Sequence, residues 1–124
     1  MSSPAEFLTP EECAEVDKAL LTARDKFTAR VAIYALRSLK QIAQQENTTI
    51  EALDPLQIET WVYNDSSLQG DRDREFRQFF SKLVIAATKP LEQAARSLQT
   101  DIATLTVPQV IAWFEAQAKQ NLPS

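Results

Sequence analysis

Part of this chain is written twice. Shifted by 52 positions, residues 27–61 fall onto residues 79–113 without a gap, and 11 of the 35 columns are identical. They include Phe27/Phe79, Ile33/Ile85, Leu39/Leu91, Ile50/Ile102, Leu53/Leu105 and Trp61/Trp113. A period of this size marks a repeated supersecondary unit that buries its apolar face against its neighbour. Two units are fewer than the roughly three an open solenoid needs, so the expectation is that both share one core. The chain then reads as a single helical domain over residues 1–124, with repeat one at about 21–64, repeat two at about 73–116 and a pseudo-twofold relation between them.

The repeat is helical rather than stranded. One glycine, Gly70, stands in 124 residues, where an average chain would carry about nine. Hairpin turns draw on glycine, so its scarcity argues for an all-α fold. Helix starts are legible. Thr9-Pro-Glu-Glu12 has the form of a capping box with proline in the first turn. Cys13, Val16, Leu20, Ala23 and Phe27 then step by three or four along one face, and nothing up to Glu46 breaks the helix outright. A restart is expected at Pro90, which would divide residues 71–87 from residues 90–98, because proline in a helix interior costs about 3 kcal/mol. Its counterpart Ser38 marks a weaker candidate break. Thr48-Thr-Ile-Glu51, Asp54-Pro-Leu-Gln57 and Thr106-Val-Pro-Gln109 read as further capping boxes. The last two open the helices carrying Trp61 and Trp113.

Composition excludes much chemistry. With no histidine and one cysteine, Cys13, no disulfide within the chain, no Cys/His zinc set and no Ser-His-Asp or Cys-His relay is available. One glycine also rules out a Walker loop and a dinucleotide fingerprint. Carboxylates sit at caps, turns and expected outer faces. The Glu11, Glu12 and Glu15 cluster suits an acidic first helical turn better than a metal site. The expectation is a non-enzyme with no cofactor and no metal. A net charge of −4 works against general binding to nucleic acid or anionic membrane. No apolar run is long enough to span a membrane, and the expected location is the cytoplasm.

Leu105-Thr-Val-Pro-Gln-Val-Ile-Ala-Trp-Phe114 follows the pattern L-T-x-x-Q-[VI]-x-x-W-F and resembles the start of a homeodomain recognition helix. That resemblance implies a helix-turn-helix regulator that binds duplex DNA. In that family asparagine and arginines follow the W-F pair and read adenine and phosphate. Here Glu115-Ala-Gln-Ala118 follows, so the matched residues are those that pack a helix.

Most shared columns describe scaffold. Phe27, Ile33, Trp61, Phe79, Ile85 and Trp113 are expected in the structural core. The imperfections of the repeat are more informative. Thr28, Ala32 and Glu59 in the first copy become Phe80, Val84 and Ile111 in the second. Three extra bulky apolar residues need a cover, supplied either by the amino-terminal helix over residues 9–21 or by another protein. The functional reading is a protein-binding module, an adaptor, assembly factor or small chaperone, with Phe80, Val84 and Ile111 touching another protein or a second copy of the chain. A DNA-binding regulator and a small-ligand or pigment binder with a site near the tryptophans are the alternatives.

Overall fold

The computed structural model describes residues 8–65 and 74–120. Residues 1–7, 66–73 and 121–124 lie outside them, and with them Gly70 and most of the segment between the two repeats. Among the described residues there are five α-helices and no strand: α1 (Pro10–Asp17), α2 (Ala23–Glu46), α3 (Pro55–Tyr63), α4 (Arg74–Ser97) and α5 (Val107–Gln120). Single 3-10 turns, Ile50–Ala52 and Ile102–Thr104, precede α3 and α5.

Helix α2 is the axis of the molecule and packs against all four other helices. Its residues Val31, Ala32, Ile33, Tyr34, Ala35 and Leu36 are buried in succession, so this stretch is covered all round rather than along one stripe. Helix α4 has one inward face. Phe80, Val84, Ala87, Leu91 and Ala94 are buried at the three- and four-residue steps of a helical stripe, and α2 and α3 are the main elements covering it.

The order of long helix, 3-10 turn and helix occurs twice, with α2 and α4 each 24 residues long. Both long helices stop the same way. Asn47 and Gln99 are left-handed at φ 56°. The Thr48 amide reaches back to the Ala43 carbonyl and the Thr100 amide to that of Ala95, each at 2.9 Å. These six-to-one bonds are Schellman closures, for which glycine is the usual residue.

Three local expectations are corrected. The predicted stripe through Leu20 into α2 is interrupted: α1 ends at Asp17, and Thr22 caps a new helix by accepting the Asp25 amide at 3.2 Å. Leu20 is therefore 86% exposed. Neither Pro90 nor Ser38 breaks its helix; α4 runs through Pro90. The missing proline amide leaves a gap at Ala86, which is exposed so water can serve its carbonyl, while buried Leu91, Ala94 and Ala95 hold the far half to the core. The Thr88 hydroxyl, two residues before Pro90, donates to the Ile85 carbonyl at 2.7 Å. Finally, Thr49 rather than Thr48 precedes the first 3-10 turn, with no side-chain cap.

The other boxes form as read. Thr9 with Glu12, Asp54 with Gln57 and Thr106 with Gln109 each exchange side-chain and backbone hydrogen bonds in both directions.

Among the residues expected in the core, Ile33 is fully buried, while Trp61, Ile85 and Trp113 are half-buried against it. Phe27 and Phe79 are not core: they are 42% and 59% exposed. On α4 the inward stripe runs through Phe80 and Val84, and Phe79 sits about 100° round the helix from Phe80.

Candidate partner-binding groove

The three residues proposed from the repeat's imperfections are interior. Phe80, Val84 and Ile111 are 2%, 0% and 6% exposed. The Phe80 ring lies 5.1 Å from Tyr34 and 5.6 Å from Phe76 between ring centroids, and its burial stabilises the fold by about 1.5–3 kcal/mol. For Phe80 and Val84 the cover is α2 and α3, against which α4 mainly lies, whereas α5, which carries Ile111, packs on α2, α1 and α4. These positions therefore serve packing and offer no contact surface.

The homeodomain-like stretch is likewise occupied by structural work. Leu105, Val110 and Ile111 are buried, Trp113 and Phe114 are half-buried, and Thr106 and Gln109 form the capping box of α5. Lys40 of α2 donates to the Leu105 carbonyl at 3.0 Å, tying this junction to the central helix.

An accessible apolar surface exists elsewhere, along α3. The Asp54 box and Pro55 in the first turn start that helix. Ile58 and Val62, four apart, point into the core, and the same periodicity turns Leu56 outward, where it is 65% exposed. Leu56, half-buried Trp61 and Ile42 of α2 supply the apolar lining of a groove of about 730 Å³ between the end of α2 and α3. This groove lies within the first unit, not between the two.

The far end of α3 is fixed by a polar clamp. The Tyr34 hydroxyl, deep in the core, donates to the Asp65 carboxylate just beyond α3. Arg77 of α4 donates from one guanidinium nitrogen to the carbonyls of Tyr63 and Asp65, both at 3.0 Å. The bond to Tyr63 satisfies a carbonyl that the end of α3 leaves orphaned. Burial raises the Tyr34 pKa far above its usual value of 10.0, and the Asp65 carboxylate pushes it further in the same direction. Arg37 stacks over the same ring, with its guanidinium carbon 5.5 Å from the centroid, and pairs in two-pronged fashion with Glu12 of α1 at 3.1 and 3.2 Å.

The electrostatics of this face are one-signed. From Gln41 to Asp65 the sequence holds five carboxylates, Glu46, Glu51, Asp54, Glu59 and Asp65, and no lysine or arginine. The whole chain has 17 acids and 13 bases, so outside this stretch 12 acids face 13 bases. All of the net negative charge thus belongs to the end of α2, the first 3-10 turn and α3. Glu46, Asp54 and Asp65 stand at the rim of the groove. A count of cations along the sequence would have shown this stretch; comparing the two copies column by column passed over it.

Other sequence candidates are engaged in pairing and packing. Glu12 is committed to Thr9 and Arg37, and Glu15 pairs with Lys18 at 3.3 Å. Cys13 is half-buried; burial raises its pKa, nearby Asp17 adds to the rise, and Arg30 opposes it. Among the described residues no group of three or more His, Cys, Asp or Glu is placed to hold a metal, and no helix is long and apolar enough to cross a membrane.

A continuous family match decides the classification: residues 8–121 fit the model described as "NDH complex assembly factor CRR9". The chain belongs to this family. No curated protein and no solved structure matches it. The match spans α1 to α5.

Proposed function

We propose that this chain is a non-enzymatic assembly factor that binds a protein subunit of the NDH complex through an exposed apolar helical surface, acting as an adaptor or small chaperone. Membership of the assembly-factor family carries this reading. The exposed apolar side chains Leu20 and Leu56 beside grooves support it, because accessible apolar patches commonly mark protein contacts. We further propose that the two helical units arose as tandem copies related by a pseudo-twofold axis. The 52-residue spacing of both the repeated columns and the two left-handed helix ends supports that relation. A chain with one cysteine suits a reducing compartment such as the cytoplasm.

The test is deletion of the gene followed by native-gel immunoblotting of the NDH complex. The expected result is loss of the finished complex, accumulation of a smaller subcomplex and recovery on complementation. Normal accumulation of the finished complex without this protein would overturn the reading.

A further inference from the structure

We propose that the α2–α3 groove seats a helical segment of the partner that carries an apolar face flanked by lysine or arginine. This rests on the assembly-factor reading and adds to it the location of the contact and the chemistry of what is bound. Three observations combine. The floor of the groove is apolar and open, with Leu56 65% exposed beside Trp61 and Ile42. The rim bears Glu46, Asp54 and Asp65, and its lining contains no cation. Helix α3, nine residues long, offers a wall of about 13 Å, enough to meet two or three turns of an apposed helix.

A basic segment would meet Glu46 and Asp54 along a lining without lysine or arginine, while Asp65 is already held by the Tyr34 hydroxyl and stands beside Arg77. An acidic segment would meet repulsion at every rim position, which is how charge selects partners beyond what apolar burial supplies. The second open groove lacks this bias. It is walled by Leu20, Leu21 and Ala118 but carries Glu115 and Lys119 together, so it selects no sign of charge. The clamp of Tyr34, Asp65 and Arg77 holds α3 in place before a partner arrives, which lowers the ordering cost of binding.

The experiment places the photoreactive residue benzoylphenylalanine at position 56 of the full chain, and separately at position 20, in cells that assemble the complex. The crosslinked segment is identified by mass spectrometry, and a synthetic peptide of that segment is titrated by fluorescence anisotropy. The expected segment crosslinks from position 56, has apolar residues three or four apart and carries at least two lysines or arginines. Glu46→Lys should weaken the peptide about five- to tenfold at low salt, shrinking to less than about twofold at 0.5 M salt as screening sets in. Leu56→Ser should weaken it by about tenfold without changing the melting temperature, since the side chain is exposed. A segment lacking cations, or affinity indifferent to both Glu46→Lys and salt, would overturn the proposal. Crosslinking to an NDH subunit from position 20 alone would overturn the groove while leaving the assembly role standing. No subunit captured from either position, together with normal complex in the deletion strain, would overturn both.

Discussion

Replacing Tyr34 with Phe isolates the polar clamp. The ring is fully buried and packs on Phe80, so the substitution keeps its volume and contacts and removes only the hydroxyl that donates to Asp65. A hydrogen bond to a charged acceptor contributes about 1.5–3 kcal/mol, and loss of its donor removes one partner of a half-buried carboxylate. For a domain of this size each kcal/mol corresponds to roughly 4 °C, so the midpoint should fall by about 6–12 °C. The pH dependence gives a second readout. The folded phenol titrates well above its usual 10.0, so from pH 10 upward the unfolded chain loses a proton that the folded chain keeps. Stability from this group is therefore complete below pH 10 and declines above it, by up to about 1.4 kcal/mol per pH unit. Urea titrations from pH 7 to 11 should show wild type and variant separated at neutral pH and converging above pH 10. A loss below about 0.5 kcal/mol at pH 7, or parallel curves through pH 11, would refute the claim that Tyr34 and Asp65 hold α3 in place.

Phe80→Ala should cost about 3–5 kcal/mol as a core cavity, read as a drop in urea midpoint; an unchanged midpoint would return Phe80 to the surface. Gln99→Gly should stabilise by about 1 kcal/mol, because a residue with a Cβ at left-handed φ carries strain that glycine lacks, and thermal melting would show it. Pro90→Ala should stabilise by about 1–3 kcal/mol, since it restores a main-chain donor to a helix that continues through the site; hydrogen exchange should show a new protected amide at position 90.

Local chemistry was the most legible part of the sequence. Thr9, Asp54 and Thr106 start helices where their boxes placed them, because a cap is decided within four residues. Continuity was harder to read. Pro90 carries a local penalty that buried Leu91, Ala94 and Ala95 outweigh, and no local rule contains those contacts. The Thr22 restart was missed because the apolar steps through Leu20 mimic one continuous stripe. Phe80, Val84 and Ile111 signalled a surface in need of cover, but periodicity does not say which helix does the covering; α2 and α3 do so for α4. Leu56 was passed over because a lone apolar residue in a sequence is unremarked until its neighbours Ile58 and Val62 are seen to face the other way.

The Glu12 carboxylate has two tasks at once: it accepts the Thr9 amide at 2.9 Å inside α1 and grips Arg37 of α2. A helix of eight residues is far too short to persist in water by itself. The same oxygens that close its first turn also fasten it to the axis, so this segment gains its shape and its attachment in one event. The amino-terminal helix therefore owes its shape to the surface it docks on, with Val16 fully buried in the shared core.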